Sequence, residues 1–256
     1  MEAINIMRHE SVFDPSAYPY PVHVIGAGAT GSRVFASLVE LGVPQINVYD
    51  SDSIEDHNLA NQIYMADDVG HAKVEGCLKH YKNKLGVSTV PPGIKFHNRR
   101  VTESFIQNGY LAGGIVFIMT DTMASRRSIF NAIRKRCLDS TGNPNNRTGG
   151  VAMTTSNLLV IETRMGSTHG SVFTVNPFNA VSSNQWLSTL VDDEDLDSIE
   201  LSPCGTTLSV GTTASLIANY AVWQMMQFFV DPVGLQPRID LFFKPTLTIT
   251  SPAIAA

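Results

Sequence analysis

Cysteine is scarce, with three residues in 256, at Cys77, Cys137 and Cys204. None forms a C-x-x-C pair, so neither a four-cysteine zinc site nor a disulfide framework is available, and no zinc is expected. Charge is sparse too: 16% of residues, 18 basic against 23 acidic, for a net −5. That balance argues against nucleic acid as a partner, because grip on a phosphate backbone takes clustered lysine and arginine. No basic segment followed by an apolar run opens the sequence, so no signal peptide is expected. The most apolar late stretch, 208–230, carries Asn219, Gln224 and Gln227. It reads as a buried helix rather than a membrane span. A reducing, cytoplasmic setting follows as the expectation, with no membrane partner. Internal repeats and low-complexity tracts are also lacking.

What is present is enough apolar residue, 43%, for a self-sufficient core,. Residues 1–20 read as an N-terminal arm and 21–256 as one domain with halves 21–140 and 141–256. In the first half, short β-branched runs (21–25, 46–49, 94–97, 115–119) alternate with helical periodicity (32–41, 71–85, 123–138), the pattern of a doubly wound α/β sheet with parallel strands. The second half changes character. Two runs, 158–163 and 171–175, suggest a hairpin, an acidic stretch follows at 192–200, and strands at 240–243 and 246–250 close the chain. The expected class is therefore a Rossmann-like, mostly parallel sheet continued by antiparallel strands.

Gly26-Ala-Gly28-Ala-Thr-Gly31 is a complete G-x-G-x-x-G between a strand and a helix, with Asp50 19 residues after Gly31 at the end of the next strand. Gly26 permits the tight turn, Gly28 lets a phosphate approach the backbone, and Gly31 lets the helix pack on the strand. The helix start then presents its N–H groups to an anion, and Asp50 accepts from ribose hydroxyls. Together these features predict an adenine nucleotide. Nothing resembling a hydride-transfer set accompanies them, which argues against a dehydrogenase.

The residues that follow are dense and polar: Asp50-Ser-Asp52-Ser-Ile-Glu-Asp-His-Asn58-Leu-Ala-Asn61-Gln62, then Gly70-His-Ala-Lys73-Val-Glu75, then Thr120-Asp121-Thr122 with Arg126 nearby, then Ser202-Pro-Cys204-Gly. In this order they resemble the ThiF/MoeB family of ubiquitin-activating-type adenylyltransferases, whose pattern runs D-x-D-x-(V/I)-x-x-x-N-L-x-R-Q, G-x-x-K-x-E and T-D-N with a nearby arginine. The resemblance covers most of residues 21–230. It implies ATP and Mg²⁺ as cofactors and adenylation of the C-terminal carboxylate of a small ubiquitin-like or sulfur-carrier protein, or of a peptide. It implies a homodimer as well, with the sheet edges or the 210–230 helix in the interface.

Residue by residue, the resemblance places Lys73 against the phosphates, where an ammonium offsets charge on the reacting phosphorus. Asp121, at the end of a buried strand, is assigned to Mg²⁺, a hard cation that prefers carboxylate oxygen; capping the next helix is a compatible second use. Asn58 and Gln62 are expected on phosphate or ribose oxygens, Asp52 in a mainly structural role, and Arg126 on phosphate or on Asp121. Cys204 is either an acyl-capturing nucleophile, giving a thioester, or an inert small hydrophobe.

Two departures stand out. The family arginine of N-L-x-R-Q is Asn61 here. Removing a transition-state charge donor of that kind costs about 3–4 kcal/mol, so another arginine must compensate or catalysis is weak; Arg8, in the N-terminal arm, is a candidate that would act on a partner subunit. The paired C-x-x-C motifs many relatives carry are absent as well. Two other readings therefore stay open: a catalytically inactive scaffold or heterodimer partner, and an enzyme that adenylates a non-protein acid such as a tRNA-linked carboxylate.

Overall fold

The computed structural model describes residues 4–142, 157–191, 208–245 and 247–251. Eight strands build one sheet: β1 (Val22–Ile25), β2 (Ile46–Asp50), β3 (Ile94–Asn98), β4 (Gly114–Ile118), β5 (Asn157–Met165), β6 (His169–Val175), β7 (Arg238–Phe242) and β8 (Thr248–Thr250). Their spatial order is β3-β2-β1-β4-β5-β6-β7-β8. The pairs from β3 through to β5 are parallel and those from β5 to β8 antiparallel. The expected class is thus found. Because β1 lies between β2 and β4, the chain winds outward from β1 first one way and then the other. Ligands of such sheets bind at the strand carboxyl ends beside that reversal.

Among the described residues, six α-helices cover the two faces: α1 (Ala29–Glu40), α2 (Lys73–Leu85), α3 (Glu103–Gln107), α4 (Met123–Gly142), α5 (Ala180–Ser188) and α6 (Gly211–Val230). β4 shows why both faces close. Its residues are buried throughout, with Ile115 and Phe117 in one apolar cluster and Val116 and Ile118 in the other. The first cluster takes Val34, Phe35 and Leu38 of α1 and Ile217, Ala221 and Met225 of α6. The second takes Phe130 and Ile133 of α4 and Trp186 of α5. Side chains that alternate along a strand reach opposite faces, and continuous apolar runs like this one mark parallel sheets buried on both.

Several expectations shift in detail. α4 runs to Gly142, past the expected end at 138. α3 and α5 were not foreseen. Each is short and begins at a side-chain cap, Thr102 Oγ1 accepting from Phe105 N and Asn179 Oδ1 from Ser182 N,. α6 packs into the core as expected, but Trp223 and Val230 on its other face are exposed. Residues 4–20, read as an arm, lie along the domain: Phe13 is buried in the first cluster and Tyr18 stacks between Phe13 and Phe229. The acidic stretch 192–200 lies outside the described residues. Among those described, no helix is long and apolar enough to cross a membrane.

Candidate active site

The glycine loop is built by close approach. Gly26 has φ +93°, and a Cβ on it would sit 2.6 Å from the Met119 carbonyl oxygen. A Cβ on Gly31 would sit 1.9 Å from the Gly26 oxygen. Both positions therefore need glycine for the fold itself. Gly28 differs: its φ is −76°, and a Cβ there would meet nothing within 4 Å. That empty face, at the N-cap of α1 with no side-chain cap, is where an anion can reach the helix N–H groups.

Two braces hold the loop open. Asp50 Oδ2 accepts from Ala27 N at 2.6 Å while its Oδ1 accepts from Asp52 N at 2.8 Å. The Tyr64 hydroxyl donates to the Ala27 oxygen at 2.7 Å. Tyr64 is buried and was not foreseen from sequence; α2 makes room for it at Gly76, where a Cβ would lie 2.6 Å from the ring.

A cavity of about 230 Å³ opens beside the loop, bounded by Gly26 and Gly28, the carboxyl ends of β2 and β4, and Lys73. Lys73 Nζ is held 2.9 Å from Asp52 Oδ2, and its backbone N–H donates to the Asp52 oxygen. The lysine side chain is 12% exposed and the Asp52 carboxylate 67%, so the pair turns the ammonium inward. Asp121 stands at the end of β4 on the cavity wall, exposed. The helix cap anticipated for it is taken by Thr122, whose Oγ1 accepts from Ser125 N. Among the described residues nothing pairs with the Asp121 carboxylate.

Arg99 and Arg100 also line the cavity and were missed. Both are exposed at the end of β3, and the Arg99 guanidinium lies 5.3 Å from the Phe105 ring centroid. A basic pair just after a strand that ends at the ligand-binding edge is the signal that could have found them.

Of the other expected site residues, none lies on the cavity wall among the described residues. Asn58 is buried, and its Oδ1 accepts from Glu55 N, closing the short turn 56–60; it is a turn-forming group and not part of the cavity wall. Asn61 and Gln62 lie outside that wall too, each with a buried side-chain oxygen that has no partner among the described residues. Arg8 is exposed in a segment whose Ile4 and Ile6 pack beside Gly42, just past the carboxyl end of α1. Its expected action, on a partner subunit's site, concerns a second copy of the chain. Cys204 lies outside the described residues.

Arg126 requires the clearest correction. It does not point at the cavity. Its Nε and Nη2 donate to the Thr120 oxygen and its Nη1 to Glu162 Oε1 at 2.6 Å. Glu162, with no exposure at all, also accepts from Arg164 Nε and Trp186 Nε1. A buried carboxylate needs such partners, and it draws the guanidinium inward from a helix that reads as merely basic. Arg126 thereby fixes the strand end that carries Thr120 and Asp121.

Burial shifts several groups near the site. His23, behind Tyr49 on β1, is pushed down to about 4, and the Cys77 thiol beneath Tyr64 up to about 12. The Tyr49 and Tyr64 phenols are likewise pushed up, so both stay protonated,. None of these buried groups is poised to exchange protons at neutral pH.

A model of the ThiF family matches residues 19–252. No curated protein matches the chain. Among solved structures, E. coli MccB with AMPCPP and MccA superposes with a TM-score of 0.65 at 14% identity, over 94% of this chain and 66% of that one. E. coli MccB with ATP gives 0.63 at 15%, over 92% and 64%. PaaA gives 0.62 at 12%, over 90% and 63%. At such identities the likeness is one of fold, and the chain spans just under two thirds of the length of those proteins.

Proposed function

The chain belongs to the ThiF family, and on that premise we propose that it is an ATP-dependent adenylyltransferase acting on the C-terminal carboxylate of a peptide or small ubiquitin-like or sulfur-carrier protein. The observation that carries this reading is the composition of one cavity: an open glycine cradle, an inward lysine and an unpaired carboxylate. The similar fold of MccB, solved with ATP and in another case with N-formylated MccA, supports a nucleotide and a partner of that kind.

The reaction needs little covalent help from the protein. A substrate carboxylate oxygen attacks the α-phosphorus of ATP in line, the bond to the bridging oxygen breaks, and pyrophosphate leaves with that electron pair. The products are acyl-adenylate and pyrophosphate. The backbone N–H groups at the start of α1 hold the phosphates, and Lys73 offsets charge as it builds on the reacting oxygens. Asp50 has a lone pair left on each oxygen after bracing the loop, enough to accept from ribose hydroxyls. Positioning the two reactants supplies much of the acceleration.

Asp121 fits the role of magnesium ligand, being an exposed carboxylate on the cavity wall with no partner among the described residues,. The described residues form no cluster of three or more His, Cys, Asp and Glu side chains, so the phosphates would complete the coordination. When bound, the cation neutralises phosphate charge. Transfer to Cys204, assembly as a homodimer and a cytoplasmic setting remain part of the reading, and adenylation itself requires none of them.

The experiment is ATP–pyrophosphate exchange with the full chain and peptides or small carrier proteins ending in a free carboxylate, against the same partners amidated at the C-terminus. Exchange confined to free carboxylates supports the reading. The scaffold alternative, which draws on Asn61 in place of an arginine, predicts no ATP binding at all.

A further inference from the structure

The missing cation at position 61 has a neighbour that can stand in for it. Arg33 projects from the second turn of α1, five residues after Gly28. Side chains on a helix lean toward its N-terminus, so this one leans toward the phosphate cradle. Its Nε donates to the Asn61 oxygen at 3.2 Å. Its Nη2 lies 3.0 Å from where a Cβ on Gly211, the first residue of α6, would be, and the Asn61 Cα lies 3.3 Å from the same point. The guanidinium is therefore wedged in a notch among α1, the 58–62 turn and the start of α6.

Two features mark this notch as unfinished. Arg33 is half-buried, and among the described residues no carboxylate pairs with it, although burial disfavours its charge. Apart from the Nε bond, its donors have no hydrogen-bond partner there. Beside it, Asn61 Oδ1 and Gln62 Oε1 are buried without partners among the described residues. A side-chain amide carries donors at its other end and can present them by rotation. A half-buried cation, two uncommitted amides and a backbone glycine together suit a polyanion, because a guanidinium matches phosphate oxygens bidentately.

We propose that Arg33 grips the β- and γ-phosphates of ATP, and then the departing pyrophosphate, replacing the cation that Asn61 does not supply. The inference rests on the adenylyltransferase reading and adds a specific residue to it. Geometry also predicts a rescue: an arginine at position 61 would put its own guanidinium into the same notch.

The test is calorimetric titration of ATP, pyrophosphate and AMP into the full chain, its Arg33→Gln and Arg33→Lys variants, and the double variant Arg33→Gln with Asn61→Arg. Loss of a charge-assisted contact predicts that Arg33→Gln weakens ATP and pyrophosphate by about tenfold or more. AMP, which lacks the β- and γ-phosphates, keeps its affinity to within about twofold on the same grounds. Arg33→Lys keeps the charge and loses less, which separates a lost charge from a disturbed helix. The double variant recovers most of the lost ATP affinity. Equal weakening of ATP and AMP, no weakening at all, or failure of the rescue overturns Arg33's role while leaving the nucleotide site standing. A wild-type chain that binds no ATP overturns both.

Discussion

Two groups of charged side chains meet at Thr120, and they are built in opposite ways. Behind the β4 strand end, Glu162 accepts from Arg126, Arg164 and Trp186, Arg126 reaches the Thr120 oxygen and Arg164 reaches Thr189. In front of it, Asp121 has no partner among the described residues and Lys73 has a single, exposed one. The first set is closed and holds a position. The second is open and awaits a ligand. Charge alone does not distinguish them; what differs is whether the hydrogen-bonding capacity of each group is already used.

The sharpest way to break this contrast is to empty the closed set. Glu162→Gln leaves two guanidinium groups uncompensated in a buried site, and removing one partner of a buried pair costs about 3–5 kcal/mol. Urea unfolding followed by circular dichroism should show a loss of that size; a loss under about 1 kcal/mol would mean that the network is no more than a surface pair.

Emptying the open set should do the reverse. Lys73→Met removes one ion pair whose Asp52 end is mostly in solvent, worth at most about 1 kcal/mol. The melting temperature should barely move, while ATP–pyrophosphate exchange falls by about 10²–10³-fold. A variant that melts early and retains exchange would invert the assignment.

A pH series tests a third group, His23, which is buried behind Tyr49 of the cavity wall. Burial holds the folded His23 imidazole near 4, against an unfolded value of about 6.5. Between those values the unfolded chain binds a proton that the folded chain does not. Stability attributable to this group is therefore fully present above pH 6.5 and falls by about 1.4 kcal/mol per unit as the pH drops toward 4. Unfolding free energies from urea titrations at pH 7 and 4.5 should differ by about 2–3 kcal/mol more in the wild type than in His23→Phe. Equal slopes would contradict the burial assigned to His23.

The contrast also explains what was legible in the sequence. The glycine loop, β2 and Asp50 were, because turn, strand and acid act through local backbone geometry and keep a fixed spacing. Lys73 and Asp121 were placed by motif order. Arg126 was misread: its use depends on Glu162, 36 residues along and on another strand, and a helix position shows basicity but not the partner. Asn58 was misread for the opposite reason, since its oxygen is taken by Glu55 three residues before it. Arg33, Tyr64 and the Arg99–Arg100 pair went unseen because each acquires its meaning only where separate elements converge.

The central claim is that the open face of Gly28 receives the phosphates of a nucleotide. Gly28→Ala is the direct probe, because the added methyl meets no protein atom within 4 Å and occupies only that face. Titration of Mg-ATP into both proteins should show one saturable site per chain in the wild type. In the variant it should be weakened by about tenfold or more, the loss of roughly one charge-assisted contact, with an unchanged melting temperature. Equal affinity in the two proteins, or no saturable binding by the wild type at millimolar ATP, would contradict it.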